Sequence, residues 1–252
     1  MSILDKILDQ KKHEIKKLSY EDLIPNEDNN RKSLLSYLEN KRLNLIAEVK
    51  QASPSKGVIY SDFNPLQLAK LFQENGASCI SVLTDEMFFQ GSKSYLTAIK
   101  SNTHIPILRK DFILDPIQVK ETNSIGADVM LLILDILDIN QCNELISAAT
   151  TYNIEVLIEI HSYEALSKLN QIKFKPIVGV NNRDLKTFKC DTNRALEMAK
   201  EIKLMAPEIK VIAESGYSQP NEMDLLEKKG INGVLIGEGL SKNNELLEWF
   251  KQ

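Results

Sequence analysis

Leu45-Ile46-Ala47-Glu48-Val49-Lys50-Gln51-Ala52-Ser53-Pro54-Ser55-Lys56-Gly57 is an apolar run that closes on two ionisable side chains and then opens into a loop of small residues. Leu45, Ile46, Ala47 and Val49 read as a short buried strand, and Glu48 and Lys50, two positions apart, share one face of it. Taken alone, the segment fits a solvated edge strand with an exposed ion pair equally well. The pattern recurs, however, at Ile105-Pro106-Ile107-Leu108-Arg109-Lys110-Asp111, Val156-Leu157-Ile158-Glu159-Ile160-His161, Ile177-Val178-Gly179-Val180-Asn181-Asn182-Arg183, Val211-Ile212-Ala213-Glu214-Ser215-Gly216 and Gly233-Val234-Leu235-Ile236-Gly237-Glu238-Gly239. Independent strands that all finish in Lys, Glu, Asn, Arg or Gly imply one shared polar rim.

Outward from these runs, strands are expected near 44–50, 78–83, 105–109, 128–133, 155–160, 177–181, 209–213 and 233–236, with a helical pattern between each and the next. A repeat of roughly 20 to 30 residues is that of successive βαβ units. Eight parallel strands close into a barrel. The runs are nearly continuous in Val, Ile, Leu and Ala, as strands covered on both faces should be. Asn64-Pro65 and Asp115-Pro116 each place a capping side chain before a proline at the first helical position, with Gln118 as a capping-box partner. Gly76 and Gly126 stand where helices end. A doubly wound open sheet is the alternative, but no Gly-x-Gly-x-x-Gly turn follows the first strand, so no nucleotide cofactor is expected.

Ahead of the barrel, Ile3, Leu4, Ile7, Leu8, Ile15 and Leu18 recur near helical spacing, with Asp5, Lys6, Asp9, Lys11 and Lys12 opposite. This describes an amphipathic helix packed on the domain, and the interspersed acids argue against a membrane-surface role. A polar linker is expected around Asn26 to Lys32. The fold expectation is therefore a (β/α)8 TIM barrel with an extra N-terminal helix, with residues 1–252 as a single domain and 1–40 as its helical extension.

The 252 residues, 43% of them hydrophobic, suffice to bury one large α/β core. A net charge of −4, with lysines spread among acids, argues against nucleic-acid binding. Cys79, Cys142 and Cys190 lack both a disulfide pattern and Cys-x-x-Cys spacing, and are expected to be reduced, buried or half-buried thiols. No apolar run approaches bilayer length and Met1 to Leu18 is too charged for a signal peptide, so a cytoplasmic protein is expected.

Active sites of such barrels lie at the carboxyl ends of the strands, with phosphate commonly bound by the loops after strands seven and eight. Glu214-Ser215-Gly216 and Gly237-Glu238-Gly239 can present unobstructed backbone N–H groups there, with a short helix start behind them. Opposite, Lys110 and Glu159 supply acid–base equipment. Lys50 and Arg183, as neighbouring cations, are expected to lower the proton affinity of Lys110. Glu48 can orient one lysine. His161 is read as a loop or helix-start residue pointing away from the cavity. No His-x-His, His-Glu-x-x-His or clustered carboxylate pattern is present, so no metal is expected.

Glu48-Val49-Lys50 with Ala52-Ser53-Pro54-Ser55-Lys56-Gly57, Ser81-Val82-Leu83-Thr84 with Phe89-Gln90-Gly91-Ser92, Leu108-Arg109-Lys110-Asp111-Phe112, Glu159, Asn181-Asn182-Arg183-Asp184-Leu185, Glu214-Ser215-Gly216 and Leu235-Ile236-Gly237-Glu238 resemble, in order and over nearly the whole chain, the indole-3-glycerol-phosphate synthases of tryptophan biosynthesis. The Ser-Pro-Ser-Lys-Gly loop is the more specific part; the glycine loops are shared by many phosphate-binding barrels. The resemblance implies ring closure, decarboxylation and dehydration of 1-(2-carboxyphenylamino)-1-deoxyribulose 5-phosphate, without cofactor. It implies a catalytic set of Lys110, Glu159, Glu48, Lys50 and Asn181, with Lys110 protonating the sugar carbonyl and Glu159 serving the dehydration as acid or base. Ser53, Pro54, Phe89 and Phe112 would shape the aryl pocket, and Lys50 or Arg183 would bind an anionic end. Ser215, Gly216, Gly237 and Glu238 would cradle the phosphate mainly by backbone, with Leu235 also in the binding set. Gly239 departs from the family, where Ser or Ala is commoner. The implied protein is a monofunctional monomer or weak oligomer acting on a small phosphorylated substrate, with no nucleic-acid or membrane partner. An isomerase of a related sugar phosphate, and a catalytically silent phosphate-binding scaffold, are the competing readings.

Overall fold

The computed structural model describes residues 2–26, 31–40, 42–54, 56–60, 62–173, 176–184 and 189–251. Positions 27–30 of the expected linker, Ser55 of the loop after the first strand, and Leu185 lie outside the described residues.

Eight strands form the barrel: β1 (Asn44–Val49), β2 (Ala77–Leu83), β3 (Ile107–Lys110), β4 (Val129–Ile133), β5 (Glu155–Ile160), β6 (Ile177–Asn181), β7 (Lys210–Glu214) and β8 (Gly233–Ile236). Each pairs in parallel with its sequence neighbours, and β1 pairs with both β2 and β8, which closes the sheet. The expected strands sit within about two residues of these bounds, the usual uncertainty of an element end.

Helices start and stop where the local chemistry directs. Asn64 caps Pro65–Glu74 by accepting from Gln67 N at 3.0 Å. Asp115 and Gln118 form the capping box of Pro116–Ser124. Gly76 and Gly126 adopt φ of 88° and 83°, the left-handed conformation that ends a helix at least cost in glycine.

Alternation divides each strand between two apolar layers. Leu45, Ala47, Ile80, Val82, Ile158, Val180 and Val211 pack outward against the helices. Ile46, Cys79, Leu108, Leu131, Leu157, Ile177, Ile212 and Leu235, one from each strand, fill the barrel interior. Continuing the inward parity along the strands leads to Glu48 and Lys50, Lys110 and Phe112, Glu159 and His161, Asn181, Glu214 and Gly237. One parity therefore yields a greasy plug below and a polar rim above.

The segment before the barrel closes both of its ends. Helix α2 (Leu34–Leu38) seats the buried Leu34 and Leu38 in the interior cluster. Its start is fixed by Glu155, whose carboxylate accepts from Leu34 N at 2.8 Å and Leu35 N at 3.1 Å. Helix α1 (Ile3–Ile15) lies at the opposite end, with Ile7 buried and Ile3, Leu4 and Leu8 packed against the same cluster. The amphipathic helix is present, with one correction. Lys11, placed on the polar face by its spacing, is only 3% exposed and reaches Asp111 at 2.9 Å and Asp85 at 3.1 Å. Among the described residues no helix is long and apolar enough to cross a membrane.

Candidate active site

A cavity of about 630 Å3 opens at the carboxyl ends of the strands and is lined by every residue assigned above to catalysis or binding. Its floor is a cluster of charges. Lys110 Nζ at the end of β3 donates to Glu159 on β5 and, at 3.0 Å, to Glu214 Oε2 on β7. Lys50 donates to Glu48, as their shared strand face predicted.

The surroundings of Lys110 reverse one expectation. Its close neighbours are carboxylates, not cations. Burial works to lower its pKa, but Glu159, Glu214 and Glu48 outweigh burial and hold the ammonium protonated, above the ordinary lysine range. The two acids beside it are driven apart. Burial alone would raise Glu159, yet Lys110 and His161 hold it well below the usual carboxylate range. Burial and the charge of Glu159 push Glu214 well above that range, with Lys110 opposing. Like charges in one buried site cannot both ionise cheaply, so the proton rests on Glu214.

His161 is the second correction. Glu159 and His161 are two apart and share the inward face, so the ring turns into the site. Nε2 lies 2.6 Å from Glu159 Oε1, and Nδ1 lies 2.8 Å from the carbonyl of Arg183. The strand period is the signal that turns the ring inward. The same period turns Glu214 inward, ahead of the phosphate loop to which its sequence position assigns it.

The loops after β6, β7 and β8 converge on the opposite side. Asn182, fully buried, donates to the Ser215 carbonyl at 2.9 Å and accepts from Ala195 N at 2.9 Å. Ser215 and Gly216 both have positive φ, 67° and 91°, and the Asn182 bond helps hold the serine there. A Cβ on Gly216 would come within 2.5 Å of Cys190 Sγ, so that glycine is also required by packing. Cys190 itself is exposed, unlike the buried Cys79 and Cys142, which corrects the expectation for that thiol.

Gly237 precedes the helix Glu238–Lys242. A Cβ there would stand 2.7 Å from Glu48 Oε1 and 3.3 Å from Glu48 Cβ. The glycine thus makes room for the Glu48 carboxylate as well as opening the backbone, a constraint the sequence did not reveal. At Gly239 a Cβ would stand 2.6 Å from the Tyr217 carbonyl, where two loops approach closely. Lys56, from the loop after β1, reaches Glu238 at 3.6 Å across the mouth.

The remaining wall is apolar. Phe89 and Phe112 face each other with ring centroids 6.2 Å apart, and Leu131, Ile133 and Leu235 continue the surface. Ile3, Leu4 and Ile7 of α1 complete it, which spacing alone could not show because they are distant in sequence. Ser53 and Pro54 line the same cavity, and Ser53 belongs to a two-residue ladder of Ala52–Ser53 with Gly57–Val58. Asn181 and Arg183 also line the cavity, Asn181 Oδ1 accepting from Arg183 N at 3.0 Å. Among the described residues, no group of three or more His, Cys, Asp or Glu is placed to hold a metal ion.

Comparison with known proteins shows the fold and the family. Among solved structures, a Streptococcus mutans chain named KGPDC matches with a TM-score of 0.63 at 16% identity, over 83% of this chain and 94% of that one. A 3-hexulose-6-phosphate synthase from Salmonella typhimurium matches with a TM-score of 0.60 at 14% identity, over 83% and 95%. At such identity these two establish the fold alone. The indole-3-glycerol phosphate synthases of Shouchella clausii and Bacillus pumilus are each 41% identical, over 96% and 95% of this chain and 94% of their own length. That of Petrotoga mobilis is 36% identical over 96% of this chain and 92% of its own. The family model described as Indole-3-glycerol phosphate synthase matches residues 4–252, and the chain belongs to the indole-3-glycerol phosphate synthase family.

Proposed function

We propose that the chain closes the ring of 1-(2-carboxyphenylamino)-1-deoxyribulose 5-phosphate, with loss of carbon dioxide and water, to give indole-3-glycerol phosphate, and that its side chains divide the work as follows. The substrate has an aryl end, a central carbonyl and a phosphate end. The cavity has an apolar wall, a central ammonium and a backbone-rich far side. The observation that carries the reading is Lys110 Nζ, held between Glu159 and Glu214 at the junction of those regions.

Lys110, protonated at neutral pH, donates to the sugar carbonyl oxygen and yields its proton as charge develops there when the aromatic ring attacks. Loss of carbon dioxide then restores the ring. Glu159, kept ionised, serves the dehydration as base, taking a proton from the ring-closed intermediate and passing it to the hydroxyl group that leaves as water, while Glu214 remains the protonated neighbour that lets it stay ionised. Glu48 and Lys50 set the local charge, with Asn181 beside them, and Lys50 or Arg183 binds the substrate carboxylate. Ser53, Pro54, Phe89, Phe112 and Leu235 enclose the aryl ring, and the amides near Ser215, Gly216, Gly237 and Glu238 receive the phosphate.

The reading takes residues 1–252 as one barrel domain with 1–40 as its extension. It places the chain in the cytoplasm, as a monomer or weak oligomer with no nucleic-acid or membrane partner. The test is to incubate purified protein with the anthranilate-linked deoxyribulose phosphate and follow indole fluorescence together with carbon dioxide release. Isomerised sugar phosphate without carbon dioxide would overturn it.

A further inference from the structure

We propose that His161 is a positioning residue that clamps Glu159 to the loop after β6 by carrying protons on both ring nitrogens. Nδ1 is 2.8 Å from the Arg183 carbonyl, which can only accept, so Nδ1 must donate. Nε2 is 2.6 Å from Glu159 Oε1, and an ionised Glu159 can likewise only accept. Both bonds exist together only in the imidazolium. The ring is 6% exposed, so water does not substitute for either partner.

The charged groups around the ring favour that form. Glu159 lies beside it on β5, with Lys110 and Glu214 beyond. Asp135, in the loop after β4, accepts from the His161 backbone N–H at 2.8 Å. Arg183 and Asp184 line the same cavity from the loop after β6. Burial acts to lower the His161 pKa, but Glu159, the Arg183 carbonyl and Asp135 together raise it above the ordinary value.

Two elements are joined by this ring: the carboxylate at the tip of β5, and the loop that carries Arg183. Once the imidazolium loses a proton, one nitrogen lone pair must face an acceptor, either Glu159 or the carbonyl. The clamp then opens, or Glu159 must take up a proton and cease to be a base. A raised folded-state pKa means that the clamp is intact below that value and is lost as pH rises through it. The inference rests on Glu159 being the acid–base carboxylate of the proposed reaction, but the protonation of the ring can be read without any turnover.

The experiment uses the full chain labelled with 15N in its three histidines, of which His13 and His104 are exposed. His161→Gln assigns the His161 signals. They should be those of a doubly protonated ring at about pH 7.5, above the ordinary histidine value of about 6.5. In Glu159→Gln the His161 ring should be neutral at that pH. A neutral His161 in the unaltered protein, or no change in Glu159→Gln, would overturn the clamp. The kinetic counterpart is His161→Gln, expected to lower kcat about tenfold with KM within about threefold, and to remove the alkaline limb expected in the pH profile of the unaltered protein. An unchanged pH profile with a uniform fall in activity would mean that the ring is structural only, and unchanged kcat would mean that the clamp does not serve the reaction. If the synthase activity itself were absent, the NMR arm would still decide the protonation.

Discussion

Lys110 and Glu214 are joined by a 3.0 Å hydrogen bond from Nζ to Oε2, which links β3 to β7 across the barrel beneath the cavity. The same ammonium also donates to Glu159, so one cation bridges two carboxylates. With a cation between them, one acid can stay ionised while the other keeps a proton, and the two carboxyl groups become chemically unlike despite sharing a site.

Replacing the ammonium should therefore cost turnover far more than binding. Lys110→Ala is expected to lower kcat by on the order of a hundredfold or more, with substrate affinity within about tenfold, or roughly 1.4 kcal/mol. Steady-state kinetics together with equilibrium titration of the substrate check this. Near-normal turnover would remove Lys110 from the acid role.

The two carboxyl groups should respond differently to the same isostere. Glutamine imitates a protonated carboxyl group, so Glu214→Gln should retain kcat within about tenfold at neutral pH. Glu159→Gln, which removes an ionised base, should lose on the order of a hundredfold or more. Equal losses in a side-by-side assay would show that the proton is not on Glu214. Because Glu159 is held below the usual range, its activity contribution is present above that lowered pKa and is lost as pH falls through it.

Gly237→Val should do more than remove backbone contacts to the phosphate. Its Cβ would meet Glu48 Oε1 at 2.7 Å, so the substitution displaces a carboxylate that accepts from Lys50. Binding of inorganic phosphate should weaken and kcat should fall as well, even at saturating substrate. A variant with weakened phosphate binding but full kcat would show that Glu48 tolerates the intrusion.

Lys11→Met tests the junction of α1 with the barrel. Lys11 pairs with Asp111 at 2.9 Å and Asp85 at 3.1 Å, and Asp111 also accepts from the fully buried Arg109 at 3.1 Å. Removing one partner of such a buried network is expected to cost about 3–5 kcal/mol in urea unfolding. Burial acts to raise the Asp111 pKa, but Arg109 and Lys11 hold it well below the ordinary range. That stability is present above the unfolded carboxylate pKa and fades as pH falls through the folded one. In Lys11→Met the folded value rises, so acid unfolding should begin at a higher pH. An unshifted acid midpoint would show that Arg109 alone governs Asp111.

Much of the molecule is legible in one dimension because its periods are local. Alternation along β1, β3 and β5 is a property of the extended backbone, and it places Glu48, Lys110 and Glu159 at one rim before any contact is known. Capping at Asn64 and Asp115, and the helix-ending glycines 76 and 126, depend on neighbours within a few residues. Phe89 and Phe112 are placed at that rim by the family resemblance, and the glycine loops by their position after the last two strands. What the sequence could not decide were quantities set by residues distant in the chain. Lys110 is surrounded by acids from three other strands, so the sign of its shift emerges only after closure. Lys11 looks solvated on a helical wheel and is buried because Asp85 and Asp111 converge on it. Gly237 is required partly by Glu48, which meets it only because β1 and β8 are paired in the closed sheet. Local backbone geometry fixes which way a side chain points, whereas charge, burial and available volume are sums over everything the fold brings near, and those only the tertiary structure decides.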